Sequence, residues 1–303
     1  MQRYAFFAET AVETLAITTF NAIMFIIKQS KDLARYLQKQ RSVKKTIGFI
    51  PTMGALHQGH LSLTKKAGEE NGVVVCSIFV NPTQFNDLTD FELYPKTLES
   101  DILLLEKQGC DLLFLPDVAE IYPSGISPAT AYELGYLESV LEGKYRPGHF
   151  QGVCQVMHRL MEIVRPDRLY LGQKDYQQCL VIGKLLELIQ SPAEIIICPT
   201  LREPGGLAMS SRNLRLSARE KQNAQGIYEA LSYISRNIKP GEVKGIAERA
   251  GALLIQKELT ADYLTIARAE DLRIIDVWDG QTKAIALIAA FMGKVRLIDN
   301  MII

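Results

Sequence analysis

Two histidines three residues apart, His57 and His60, are the densest chemistry in the chain, which has only two others, His149 and His158. They close the run Pro51-Thr52-Met53-Gly54-Ala55-Leu56-His57-Gln58-Gly59-His60, between an apolar segment, IGFIPT, and a helical run, LSLTKKA. That order predicts a strand, a turn and a helix start. A turn entering a helix points backbone N–H groups and the positive end of the helix dipole toward one spot, which suits an anion. Imidazoles at i and i+3 on the first helical turn face the same side and can both donate to phosphate oxygens. Gly54 and Gly59 permit close backbone approach. A metal site is the rival reading, but helical zinc pairs use i and i+4 with a third ligand, and no H-E-x-x-H occurs. No metal ligand is assigned on the chain. The plain alternative is a pair of incidental histidines at a helix start.

Four further motifs follow in order. Asn81-Pro82-Thr83-Gln84-Phe85 closes the second strand of the sheet, and Arg146-Pro147-Gly148-His149-Phe150 precedes a helix. Gly172-Gln173-Lys174-Asp175-Tyr176-Gln177-Gln178 leaves a strand, and Met209-Ser210-Ser211-Arg212-Asn213 follows a strand and loop. The first motif resembles the HxGH signature of the nucleotidylyltransferase superfamily. The five together, from about Met24 to Asn300, resemble the pantothenate synthetase family. The resemblance implies ATP-dependent condensation of (R)-pantoate with β-alanine through a pantoyl-adenylate, giving pantothenate, AMP and pyrophosphate. It also implies a homodimer; Mg²⁺ is expected to ride with the ATP phosphates, since few dedicated carboxylate ligands are evident, and the scattered cysteines fit a reducing cytoplasm.

In that chemistry a carboxylate attacks the α-phosphorus, so two anions meet while pyrophosphate leaves with added charge, and donors or cations must surround the phosphates. By resemblance, His57 and His60 stabilise the transition state, with His60 as proton donor, and Lys174 joins them. Ser210, Ser211 and Arg212 close over the distal phosphates. Gly172 and Asp175 hold the ribose, while Met53, Gly54, Gly59, Leu201 and Met209 complete the ATP site. Gln178 and Gln84 hold pantoate, Gln84 with its amide directed at the sheet's carboxyl edge, where it also helps receive β-alanine. Asn81, Tyr94, Arg146 and His149 are further pocket candidates.

Residue chemistry alone leaves alternatives. Asp175 and Gln178 form a D-x-x-Q capping box as readily as a ligand pair. Met53 and Leu201 are equally core residues, Lys174 an ordinary solvated lysine, and Ser210 and Ser211 a polar turn. Arg146 and His149 read equally as structural, and His158, within VMHRLMEIV, has a packing or helix-surface role. Two departures from the family pattern are Gln173, where Glu is common, and Gly205, where Asp is common. The first removes a charge beside Lys174, and the second adds backbone freedom before Met209.

The elements that must position these residues are legible from periodicity. TIGFIPT, VVVCSIFVN, DLLFLP, DRLYLG and EIIICPT are apolar runs separated by helical stretches, the pattern of an α/β, Rossmann-like, doubly wound parallel sheet. FIIKQSKDLARYL after Met24 reads as a further strand and helix. Beyond Leu214, a capping box at Ser217 and Glu220 opens a helix to about Ile238, and Pro240-Gly241 breaks the chain. A helix to about Leu259 and three strands, YLTIARAE, AIALIAAF and VRLID, complete a smaller α+β domain. The division is an extension over 1–23, an ATP- and pantoate-binding domain over 24–200, and a C-terminal lid over 201–303. The hydrophobic C-terminal strands hint at an association surface.

The 303 residues carry 34 Lys and Arg against 34 Asp and Glu, with no basic excess of the kind nucleic-acid binders use. No run of about 18 apolar residues marks a membrane span. Glu9 and Glu13 interrupt the only signal-like stretch. The five cysteines are scattered, without C-x-x-C pairing, and read as core residues of a reduced protein. A simple adenylyltransferase acting on another acceptor and a catalytically silent binding relative are the other functions this sequence allows.

Overall fold

The computed structural model of the chain describes residues 24–85, 91–92, 94–126 and 131–303. The proposed extension over 1–23 lies outside the described residues. Six strands form one sheet: β1 Phe25–Ile27, β2 Ile47–Thr52, β3 Val73–Ile78, β4 Leu112–Phe114, β5 Arg168–Gly172 and β6 Glu194–Cys198. Their order is β1-β4-β3-β2-β5-β6, parallel throughout. Every residue of β3, VVVCSI, is buried, as expected of a strand covered on both faces.

Helices α1 Ser30–Ser42, α4 His149–Val164 and α5 Tyr176–Leu188 cover one face, burying Leu33, Leu37, Phe150, Val153 and Ile182 against Phe49 and Val75. Helices α2 Gln58–Glu70 and α3 Leu98–Lys107 cover the other, burying Leu61, Ala67 and Leu105 against Ile50, Cys76 and Tyr170. The doubly wound reading therefore holds. From β2 the chain steps to β3 on one side, and β5 later pairs with β2 on the other. The loops after β2 and β5 diverge from this switch point, leaving a crevice at the carboxyl edge between them. Those loops carry His57 and His60, and Lys174.

The C-terminal unit has helices α6 Ala218–Ala224, α7 Gly226–Asn237 and α8 Lys244–Gln256 and an antiparallel sheet. A short pair, β7 Gly241–Glu242 and β9 Val277–Trp278, stands apart. The three long strands, β8 Leu259–Arg268, β10 Ala284–Met292 and β11 Val295–Ile302, lie in the order β11-β10-β8. The Ser217–Glu220 capping box is present. The helix predicted to run on to Ile238 instead breaks at Gln225 into α6 and α7. Gly226 at the break packs so close to Lys257 and Leu259 that a Cβ would lie 2.8 Å from Lys257.

Strand β10 alternates between two buried faces. Ala284, Ala286, Ile288 and Ala290 meet the helices, while Ile285 and Leu287 meet Leu141, Tyr176 and Leu180 of the large sheet unit. The hydrophobicity of β10 is thus satisfied within the chain, while β8 and β11 on either side of it are partly exposed. All five cysteines are buried and free. Among the described residues no helix is long and apolar enough to cross a membrane.

Candidate active site

The turn after β2 does not offer the free amides expected of it. Gly54 N–H donates to Thr52 Oγ1 at 3.2 Å, and the N–H groups of Ala55 and Leu56 donate to the buried Asp101 carboxylate at 2.9 and 2.8 Å. His57 N–H donates to His60 Nδ1 at 3.3 Å, and Gly59 N–H to His57 Nδ1 at 3.2 Å. His57 is the N-cap of α2, and the two rings lie with centroids 4.1 Å apart. Since both Nδ1 atoms accept, the ring protons reside on Nε2, and the imidazoles rather than the backbone supply the donors. Burial, then the Lys174 ammonium, pushes His57 down to about 4. Burial, then His57 and Lys174, pushes His60 down to about 3. Both are neutral N–H donors at neutral pH.

The glycines of this motif serve different ends. At Gly59 a Cβ would sit 2.8 Å from the His57 ring, so only glycine lets that ring fold back to cap the helix. Gly54, at φ +81°, makes the turn against Asp101 and stands behind the cavity wall instead of lining it. Of the other predicted site residues, all line one cavity of about 260 Å³: Met53, His57, Gly59, His60, Asn81, Gln84, Tyr94, Arg146, His149, Gly172, Lys174, Asp175, Gln178, Leu201, Met209, Ser210, Ser211 and Arg212. An adjoining cavity of about 440 Å³ shares Lys174, Ser210 and Arg212.

After β5 the chain makes a 3₁₀ turn, Gln173–Asp175, before α5. Lys174 Nζ lies 3.6 Å from Asp175 Oδ1. Asp175 is the N-cap residue of α5 but its side chain makes no capping bond, so the capping-box reading is corrected. A Cβ on Gly172 would meet no protein atom within 4 Å, leaving open space beside the backbone. Gln177 donates to the carbonyls of Leu137 and Val140 and accepts from Glu142 N–H, which commits it to the protein.

The loop after β6 is a tight hairpin. Met209 N–H donates to Leu201 O at 3.0 Å, Glu203 N–H to Leu207 O at 2.8 Å, and Gly206 N–H to Glu203 O at 2.9 Å. Gly205 and Gly206 have φ of +96° and +97°, and a Cβ on Gly206 would overlap the Tyr228 ring. The glycine pair therefore answers a conformational demand, where backbone freedom was expected. Leu201 is not core but 40% exposed at the cavity lip. Ser210 caps the 3₁₀ turn Ser211–Arg215, accepting from Arg212 N–H. Ser211 Oγ donates to Ala55 O at 2.9 Å, docking this loop on the histidine loop. Burial pushes the Tyr94 phenol up, opposed by Ser211 and Arg212 beside it.

Strand β3 stops at Ile78, so Gln84 does not end it; Gln84 closes the 3₁₀ turn Pro82–Gln84. Asn81, 1% exposed, holds that turn, accepting from Thr83 N–H and Tyr122 OH and donating to Gly152 O and Gln84 Oε1. Gly152 of α4 allows the contact, since a Cβ there would lie 2.2 Å from Thr83 O. Gln84 Nε2 is left against Met53 Sδ at 2.9 Å, a weak acceptor. His149 is bonded through both nitrogens, Nδ1 to Gln84 O at 2.8 Å and Nε2 to Arg146 Nη1 at 3.0 Å. Burial, then Arg146, pushes it down to about 4, so it holds its neighbours as a neutral ring. His158 bonds Tyr132 OH at 2.9 Å on α4, the packing role expected.

Sequence reasoning missed Asp101, which shapes the histidine loop, and Asp299, Asn300 and Arg202, which border the cavity or its hairpin. Asp101 shares the buried side of α3 with Leu105, and a carboxylate on a buried stripe was the available signal. Among the described residues no group of three or more His, Cys, Asp or Glu side chains is arranged to hold a metal.

Residues 25–302 match the sequence model of a family described as pantoate-beta-alanine ligase. The chain is 47% identical over 283 residues to a pantothenate synthetase of Cytophaga hutchinsonii, covering 92% of this chain and 99% of that protein. It is 44% identical over 285 residues to one of Thermotoga petrophila, covering 92% and 100%. Among solved structures it is similar to a pantothenate synthetase from Thermus thermophilus, with a TM-score of 0.84 at 39% identity over 92% of this chain and 99% of that one. A pantoate-beta-alanine ligase from Francisella tularensis, complexed with beta-gamma ATP and beta-alanine, gives a TM-score of 0.73 at 38% identity over 92% and 97%.

Proposed function

The chain belongs to the pantoate-beta-alanine ligase family, and from that we propose that its cavity ligates (R)-pantoate and β-alanine to pantothenate, consuming ATP and releasing AMP and pyrophosphate. The observation that carries the residue-level reading is the meeting of two neutral imidazole donors and one ammonium at the switch point between β2 and β5. His57 and His60 donate through Nε2–H to phosphate oxygens, and Lys174 adds full charge as the pentacoordinate α-phosphorus forms. His60 donates its hydrogen bond from the neutral ring. Gly172 and Asp175 take the ribose, where the space beside Gly172 is open. Gln84 and Gln178 take pantoate, with the Gln84 amide exchanging its weak Met53 contact for a substrate oxygen.

Pantoate's carboxylate attacks the α-phosphorus, pyrophosphate departs toward the wall of Lys174, Ser210 and Arg212, and the neutral amine of β-alanine then attacks the acyl carbon to release AMP. Glu142 and Asp299 are each held by an arginine, and Asp175 is assigned to ribose. The donor set therefore fits Mg²⁺ that arrives with ATP, held by phosphate oxygens and water. The unit over 24–200 binds ATP and pantoate, and the unit over 201–303 serves as the lid. The scattered cysteines fit a reducing cytoplasm. A homodimer is the assembly the family resemblance supports, and sizing the protein in solution tests it.

The assay is direct. Pyrophosphate release should require pantoate, and AMP and pantothenate should appear only when β-alanine is added. Release with a different acceptor and none with pantoate would overturn the assignment. No specific observation favours a plain adenylyltransferase or a silent relative.

A further inference from the structure

Asn300, near the end of β11, belongs to the C-terminal unit, yet its side chain is built into the loop that carries Lys174. It is 2% exposed. Its Nδ2 donates to the carbonyl oxygens of Gln173 and Lys174, both at 2.9 Å, and its Oδ1 accepts from Gln173 Nε2 at 3.2 Å. Both amide protons are thereby committed to the loop backbone, so Asn300 has no donor to offer a substrate. The two carbonyls belong to the 3₁₀ turn that carries Lys174, so the contact holds the backbone of that turn directly.

The adjacent Asp299, 4% exposed, holds the second phosphate-side loop. Arg202 Nη1 and Nη2 donate to its two oxygens at 2.5 and 3.1 Å, and Arg202 Nη1 also donates to Gly206 O at 3.0 Å. Asn300 N–H donates to Asp299 Oδ1 at 2.8 Å, which ties the two clamps together.

We propose that Asn300 is a positioning residue for adenylate formation: its amide sets the place of the Lys174 ammonium, while Asp299 sets the hairpin bearing Ser210 and Arg212. One dipeptide of β11 thus aligns both loops of the phosphate site, and correct placement of Lys174 requires the C-terminal unit to be docked. The proposal rests on the assignment of Lys174 to the phosphates, and the test separates the two.

A double-mutant cycle of Asn300→Ala and Lys174→Ala, read by single-turnover pyrophosphate release with pantoate, tests it. Lys174→Ala should slow release by about 100-fold or more. Asn300→Ala should lower that single-turnover rate by about 10-fold or more and, in the steady state, leave KM for β-alanine unchanged. The double variant should match Lys174→Ala within about 3-fold, because residues acting as a unit are not additive. A double variant as slow as the product of the two single losses overturns the positioning role, as does a wild-type single-turnover rate in Asn300→Ala. Near-wild-type activity of Lys174→Ala instead overturns the phosphate assignment. If Asn300→Ala does not fold, Asn300→Asp, nearly isosteric and lacking both donors, enters the same cycle. Gln173→Ala, on a partly exposed residue, should cost about 3-fold and only while Lys174 is present.

Discussion

His57 and His60 gain their function from what their Nδ1 atoms accept. Each accepts a backbone N–H from the same helix start, so each directs Nε2–H outward and stays neutral in the free enzyme. Neutral donors avoid the repulsion that two buried imidazolium rings beside Lys174 would suffer, and phosphate raises their basicity when it arrives. The pH profile of kcat/KM for ATP, at saturating Mg²⁺, should therefore show no loss of activity with rising pH between about 6 and about 8. A decline through the ordinary histidine value of 6.5 would show that a cationic imidazole is required. His60→Ala should slow adenylate formation by about 100-fold or more if its donor supplies a few kcal/mol in the transition state. Activity near wild type would remove it from the mechanism.

At the level of elements, the site is a set of loops held by side chains from elsewhere. Asp101 of α3 receives the amides of Ala55 and Leu56 and the hydroxyl of Thr97. Asp101→Ala leaves two buried donors unpaired at about 1–3 kcal/mol each, so unfolding free energy in urea should fall by about 2–6 kcal/mol. Asp101→Asn, which keeps an acceptor, should lose less. Stability equal to wild type in Asp101→Ala would mean the loop finds other partners. This division also explains what could be read in the sequence. His57 with His60, and Gly172 through Gln178, are contiguous motifs whose geometry follows from one strand end and one helix start. Asp101 acts across 45 and 46 residues, and Asn300 across 126 and 127, so no local pattern marks either. The role of Asn81 was legible only as membership of a motif, because its hold on Gln84 depends on Gly152 in a helix 71 residues on.

Across the whole molecule the balanced charge conceals a buried ionic seam between the two sheets. Arg296 of β11 donates to both oxygens of Glu142 at 2.7 and 2.8 Å and to Asp262 at 2.7 Å, while Tyr263 OH donates to Glu142 at 2.9 Å. The Glu142 side chain is 9% exposed. Arg296→Met removes two charge-assisted bonds and leaves Glu142 with Tyr263 and with Arg146 at 3.9 Å, and should cost about 3 kcal/mol at neutral pH. The pH dependence separates this from lost packing. Burial alone would raise Glu142, but Arg296 and Tyr263 hold it below 4.5, so wild-type stability from this group is present above that value and lost as pH falls. Without Arg296 only Tyr263 and Arg146 oppose burial, the carboxyl titrates higher than in the wild type, and its penalty is relieved as pH falls. His57 and His60 also lose stability as pH drops from 6.5 toward about 4 and about 3, but neither feels Glu142, so they do so in both proteins and cancel in the difference; His149, which does feel Glu142, shares in it. The gap in urea midpoint between wild type and Arg296→Met should therefore be widest near pH 7 and narrow at about pH 4.5. A gap of the same size at both pH values would mean that Arg296 joins the two sheets by packing alone.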